Sequence, residues 1–197
     1  MLADGGASPT RPITVVARVR ARLRAHLNRG SLAVVRGVVR PALAGRTVSV
    51  QLRRGAGWDT VDRARTRAGG RFKAVWRQRR PGRYAVRVVV AGNAVSAAAG
   101  RRIGVMYVYR PGHASWYGPG LYGNRTACGG SLGPGTLGVA HRTLPCGTKV
   151  TFRHRGRIVT VRVIDRGPFA AGREWDLTAA TKRKLGFGST GTVWAAH

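Results

Sequence analysis

The chain has 197 residues, 43% of them hydrophobic, and carries 36 Lys and Arg against six Asp and Glu, a formal charge of +30. The apolar fraction excludes a wholly disordered basic tail, because such tails lack the surface whose burial offsets ordering entropy. The length suits two domains of about 100 residues each. A charge this high steers toward polyanions, whether nucleic acid, anionic lipid or the phosphate- and carboxylate-bearing polymers of a bacterial wall, without choosing among them.

The first stretch, MLADGGASPTRP (1–12), lacks the charged-then-apolar pattern of a signal peptide and is expected to be a disordered N-terminus. No run approaches the roughly 18 apolar residues of a membrane span. The chain therefore reads either as intracellular or as exported by a signal it does not carry. The two cysteines favour export, since one pair suits a disulfide in an oxidising compartment.

In ITVVARVRARLRAHL, apolar residues from Ile13 to Leu27 occupy every second position, with Arg18, Arg20, Arg22, Arg24 and His26 between them. A period of two puts the arginines on one face of a strand, where a helix would scatter them. The prediction is a strand or a bent pair of strands. The same alternation recurs in VSVQLRR, RFKAVWR and YAVRVVV, separated by PALAGR, RAGG and RPGR. Short strands with a turn every dozen residues predict an antiparallel sandwich over 13–110. Its order of elements resembles the immunoglobulin-like modules of bacterial surface proteins, which implies a spacer or adhesion role. The alternating arginines have two readings: the solvent face of a sheet, protected from edge pairing, or a surface for an anionic wall polymer. Zinc-finger spacing, an RNP-type aromatic motif and a helix-turn-helix are all missing, so no specific nucleic-acid partner is predicted.

From His113 the texture changes, glycine and aromatic residues rising in ASWYGPGLYGNRTACGG. YRPGH (109–113) reads as a linker into a second domain over 113–197. Strands are predicted at TKVTFRHR and RIVTVRVID, then a helix from Leu177 to about Leu185. Asp176 suits its N-cap, Lys182, Arg183 and Lys184 suit its C-terminal dipole, and Gly186 suits its end. All the acids beyond Gly112, namely Asp165, Glu174 and Asp176, fall in VRVIDRGPFAAGREWDLT.

ASWYG, RTACGG, VAHRTLPCGTKV, VRVIDRGPF and WDLTAATKRKLGF occur in the order and spacing of the rare lipoprotein A (RlpA) family, and residues 114 to 197 resemble its domain. The resemblance implies a mainly β chain, an immunoglobulin-like sandwich followed by a six-stranded double-psi β-barrel with a short helix. The segment is also similar to the barrel of expansins. It implies a secreted or cell-envelope protein, no cofactor, and peptidoglycan glycan strands as partner. Some RlpA members are lytic transglycosylases, in which an acid protonates the glycosidic oxygen and the sugar's own 6-hydroxyl attacks to leave a 1,6-anhydro end. One carboxyl can serve as acid and then as base, unlike the paired carboxylates of ordinary glycosidases.

On that resemblance Asp165 is the candidate catalytic residue, ending the strand VTVRVID before a Gly-Pro turn; the plain alternative is a carboxylate bonding the amides of its own turn. His141 matches the family's groove histidine and either orients Asp165, bonds a sugar, or is structural. Trp116 and Tyr117 offer a flat face to a pyranose or pack in the core. The family pattern departs at TACGGSLG: the usual glutamate falls at Gly130 and the next polar position at Gly133, neither able to handle a proton. That departure favours a non-hydrolytic, expansin-like binder, while Asp165 and His141 favour a transglycosylase. Cys128 and Cys146 stand where the commoner pattern has Ser and Phe, which implies a bridge between barrel segments. The alternatives are zinc with His141 as third ligand, although the paired spacing of structural zinc sites is missing, and a nucleophilic Cys-His pair. No metal is predicted.

Overall fold

A computed structural model describes residues 15–197. The stretch expected to be disordered, and the first two residues of the predicted strand, lie outside the described residues. The strands are β1 (Arg18–Leu23), β2 (His26–Asn28), β3 (Leu32–Arg40), β4 (Thr47–Arg54), β5 (Gly57–Arg65), β6 (Arg71–Arg77), β7 (Gly82–Val90), β8 (Ala99–Tyr117), β9 (Val139–Ala140), β10 (Lys149–His154), β11 (Arg157–Asp165), β12 (Trp175–Thr178) and β13 (Gly191–Ala196). One helix, α1 (Ala179–Leu185), follows β12. The chain forms two compact units, one of Met1–Arg22, Val35–Ala74 and Val86–Ile103, the other of Leu23–Val34, Val75–Ala85 and Gly104–His197. Residues 109–113, read above as a linker, lie inside β8, where Arg110 to His113 pair with β13.

In the first unit, alternation decides the faces. Val48, Val50 and Leu52 of β4 and Val86, Val88 and Val90 of β7 are fully buried, each contributing roughly 1.5–3 kcal/mol by leaving water. Between them Ser49, Gln51 and Arg87 point the other way, as a period of two requires. β4 pairs antiparallel with β5 and β7, and β1, β3 and β6 form a second sheet. The predicted bent pair of strands is present: Val19 is buried between exposed Arg18 and Arg20 in β1, and β2 resumes at His26.

In the second unit six strands close a ring. β8 pairs in parallel with β12, β12 antiparallel with β9, β9 in parallel with β11, β11 antiparallel with β10, β10 with β13, and β13 with β8. Closure leaves no sheet edge to protect. Val150, Phe152, Val159, Val161, Val163, Trp175, Leu177, Leu185 and Val193 fill the interior, and Phe152 meets Trp175 edge-to-face at 5.1 Å between centroids.

The helix begins later than predicted, and Asp176 does not cap it. Thr178 is the N-cap, its hydroxyl accepting the Thr181 N–H, and Gly186 ends the helix in the left-handed conformation as predicted. Asp176 is held in β12 by pairing with Ser115 and Ala140, so it cannot also take the cap position two residues on. The Thr178 hydroxyl also accepts the Gly138 N–H at 3.2 Å and donates to Thr181 Oγ1 at 2.9 Å, entirely buried. Thr178→Ala therefore loses the cap on the Thr181 N–H and one of two acceptors of the Gly138 N–H, which keeps Thr181 Oγ1 at 3.0 Å. Urea unfolding should show a loss of about 2 kcal/mol, with Thr178→Ser recovering most of it and Asp176→Asn leaving helix content unchanged.

Candidate active site

The rim of the barrel is organised around Ala140. In β11 the register with β9 runs Val163 opposite Val139, then Asp165 opposite Ala140, so Ile164 is an extra residue and the strand is bulged there. A strict period of two would send Asp165 into the interior behind Val163; the bulge turns it to the face of Ala140. On the other side of β9, Asp176 also pairs with Ala140. Ser115 in turn pairs with Asp176. Ser115, Asp176, Ala140 and Asp165 thus form one row across four strands, and the two aspartates stand about 10 Å apart at their Cα atoms, two strand spacings.

The carboxyls differ in their surroundings. Asp165 Oδ1 accepts the Ala127 N–H at 2.8 Å and the Arg166 N–H at 2.9 Å. Asp176 Oδ1 accepts the Ser115 hydroxyl at 2.7 Å. Burial pushes the Asp176 carboxyl above its ordinary range, and the charge of Asp165 adds to that push, against the Ser115 bond and the Arg173 charge. Tyr117, two residues along β8 from Ser115, has a buried hydroxyl that completes no hydrogen bond of full geometry but interacts with the Asp165 carboxyl. Its phenol is held well above the usual value by burial first, then by the charges of Asp165 and Asp176, so it stays a neutral donor beside the pair.

Cys128 and Cys146 form a disulfide, with 5.5 Å between their Cα atoms, which removes both thiols from the zinc and nucleophile readings. The bridge braces the site: Cys128 follows the Ala127 amide that bonds Asp165, and its own N–H donates to Ile164 O at 3.1 Å. Arg166 ties down the other end, donating to the carbonyls of His141 and Leu144 and to Cys146 Sγ.

His141 meets Asp165 through its backbone, its N–H donating to Asp165 O at 3.1 Å. Its ring lies elsewhere. Nδ1 accepts the N–H groups of Thr143 and Leu144 at 3.2 and 3.0 Å, so the proton sits on Nε2, which faces Glu174 Oε1 at 3.9 Å. The ring is tilted on Trp175 at 4.6 Å. Glu174 is held by both terminal nitrogens of Arg110. A Cβ at Gly112 would come within 2.6 Å of both Glu174 Oε2 and Trp175 Nε1, so only glycine admits this arrangement. Sequence reasoning named Glu174 only among the clustered acids and passed over Arg110; a lone arginine 64 residues from its partner gives no local signal.

Trp116 and Tyr117 carry two readings, a face for a pyranose or packing in the core. Trp116 packs against the barrel core, and the Lys182 ammonium lies 3.7 Å from its ring centroid, covering a face that a sugar would use. Phe169, four residues after Asp165, is 80% exposed. Its exposure next to the Gly-Pro turn was not singled out from sequence, although a phenylalanine in a turn is itself a signal of an unsatisfied apolar surface. At Gly130 the backbone has φ +80, directly after Gly129 at φ +90. A glutamate here would be strained, so this loop is shaped for the glycine it has.

A closed six-stranded barrel with two parallel pairings and an aspartate pair flanking one of its strands has the architecture of a double-psi β-barrel. Residues 110–194 match the family model described as lytic transglycolase. A probable endolytic peptidoglycan transglycosylase RlpA of Synechocystis sp. is 52% identical over 82 residues, 41% of this chain and 26% of that protein. The endolytic peptidoglycan transglycosylase RlpA of Campylobacter jejuni is 45% identical over 84 residues, 42% of this chain and 30% of that protein. Among solved structures, Streptomyces papain inhibitor (SPI) aligns over 45% of this chain and 94% of its own at 24% identity, with a TM-score of 0.35. The C-terminal part of the chain is an RlpA-like double-psi β-barrel domain. The chain spans about a quarter to two-fifths of the curated relatives it matches.

Burial holds the His141 imidazole below its ordinary value; the Glu174 charge opposes this and Arg110, Arg142 and Arg166 add to it. The neutral ring is the form that accepts the two loop amides. An unfolded histidine takes up its proton below about pH 6.5, so this contribution to stability is whole above that pH and is lost as the pH falls toward the lower folded value. His26 and His197 shift in the same direction. Melting temperature should fall between pH 7.5 and 5, and His141→Gln, whose amide oxygen can still accept, should flatten that fall.

Proposed function

We propose that the chain works at the bacterial cell envelope, binding peptidoglycan glycan strands at the barrel rim and cleaving them as a lytic transglycosylase. The observation that carries this reading is the Asp165–Asp176 pair across Ala140, the Asp176 carboxyl raised by burial and Asp165 Oδ1 held by two backbone amides, with the buried Tyr117 hydroxyl beside them. Environments that differ between two carboxyls divide acid from base.

In the mechanism Asp176, rather than the Asp165 favoured by sequence alone, holds the proton. It gives that proton to the glycosidic oxygen as the bond to C1 breaks, and its carboxylate then takes the proton of the 6-hydroxyl as that oxygen bonds to C1. Acid and base are regenerated and no water is consumed. Asp165, fixed by two amide bonds, presents Oδ2 to the positive charge that develops at C1. Tyr117 donates to a sugar oxygen or to Asp165, and Phe169 offers the exposed ring on which a pyranose stacks.

A second reading has its own observation. Gly130 stands at the position of the family glutamate in a turn that disfavours any other residue, which supports a non-hydrolytic binder using the same rim.

Peptide-stripped glycan strands incubated with the protein should yield 1,6-anhydro ends by mass spectrometry. Asp176→Asn should lower the rate by about 10²–10⁴-fold, Asp165→Asn by a comparable factor, and both variants should still pellet with the strands. No anhydro product from the wild type, with pelleting intact, establishes the binder instead. Phe169→Ala should weaken pelleting without changing the melting temperature.

A further inference from the structure

The first unit carries a cluster of charge that its fold does not need. Three guanidiniums converge on one indole: Arg87 lies 4.3 Å from the Trp58 ring centroid, Arg102 5.6 Å and Arg53 5.7 Å. Strand register explains the convergence, since Arg53 pairs with Trp58 across β4 and β5, and Arg87 pairs with Gln51 across β4 and β7. Gln51 Oε1 accepts Arg87 Nε, which aims the other end of that guanidinium outward. Asp59, beside Trp58 in sequence, is occupied by Arg54 at 3.1 Å. The indole quadrupole offsets part of the crowding of three like charges.

The charge continues beyond Trp58. Arg102 also lines a cavity of about 460 Å³ with Arg20 and Arg101. Arg20 in turn lines one of about 530 Å³ with Arg18, Val38 and Arg40. Shared residues thus string the two arginine-lined hollows and the Trp58 cluster into one track, whose lining holds no acid. A solvated sheet face needs polar residues only at alternate positions; it does not need them gathered into hollows.

We propose that this track binds a linear phosphodiester polymer of the cell wall, of the poly(glycerol phosphate) type, anchored by Arg53, Arg87 and Arg102. Arginine forks match phosphate oxygens two at a time, and a track of repeated cations fits a chain of repeated anions. A polymer without bases is favoured over nucleic acid because Trp58, the aromatic ring on the track, is covered by guanidiniums and offers no face for base stacking. The choice of a wall polymer rests on the envelope reading given under Proposed function.

The test uses the full chain and purified poly(glycerol phosphate), with affinity measured across a salt series. One variant carries Arg53→Gln, Arg87→Gln and Arg102→Gln. Its control carries Arg67→Gln, Arg71→Gln and Lys73→Gln, exposed positions of the same unit that remove the same charge. The anchor variant should bind at least tenfold more weakly at about 150 mM salt, with a salt slope shallower by about two, as expected for three lost contacts to a single-stranded polyanion. The control should change less than threefold. Equal losses in the two variants would reduce the effect to bulk charge and overturn the track, and so would an unchanged anchor variant. Single-stranded DNA of equal phosphate number bound tenfold more tightly than the wall polymer would overturn the choice of occupant. Pelleting of all three proteins with peptide-stripped glycan strands reports on the barrel separately, so a failed rim and a failed track give different results.

Discussion

Ala140 carries a single methyl group, and its pairing with Asp165 on one side and Asp176 on the other sets the spacing between the two carboxyl-bearing strands. A shift of one residue in either neighbouring strand would send an aspartate into the apolar interior. The bulge at Ile164 and the parallel pairing of β8 with β12 are the two devices that hold this register. The first turns Asp165 outward, and the second brings Ser115 and Tyr117 beside Asp176. The disulfide and Arg166 then fix the loop whose amide meets Asp165. Each element of the rim is thereby positioned by at least two strands or a covalent bond.

His141 shows how a residue can be central to a site without facing its chemistry. Its backbone joins the Asp165 strand, while its ring supports the turn toward Cys146 and packs on Trp175. Arg110 and Glu174 complete that second cluster, Glu174 immediately preceding β12. The neutral imidazole of His141, 3.9 Å from Glu174, is not half of an ion pair; the carboxylate's charge is answered by Arg110.

The two units place charge differently. In the barrel, the arginines that bear on the rim are tied to carbonyls or to a carboxylate, as Arg110 and Arg166 are. In the first unit, Arg53, Arg87 and Arg102 gather on an indole. Arg53 also donates to Gly55 O and Arg87 to Gln51 Oε1, so there too hydrogen bonds orient the guanidiniums, while three like charges stay gathered on one ring.

Local pattern determined a good deal. A period of two identified β1, β2, β4, β6 and β7, because alternating valine and arginine can satisfy one buried and one wet face only as a strand, while β3 and β5 were not singled out. Five ordered motifs identified the barrel, and two cysteines replacing Ser and Phe identified the disulfide. The failures were local signals overruled by pairing: Asp176 has the chemistry of a helix cap, yet β12 runs through it and Thr178 takes that place; YRPGH has the composition of a linker, yet it lies within β8. What the tertiary structure alone decided are the long-range meetings, Asp165 with Ala127, Asp176 with Ser115, Glu174 with Arg110, and three arginines with Trp58. Sequence spacing specifies which face a residue occupies within its own strand; which residues share that face across a closed ring depends on strand order, register and one bulge, and none of these leaves a mark on the residues in between.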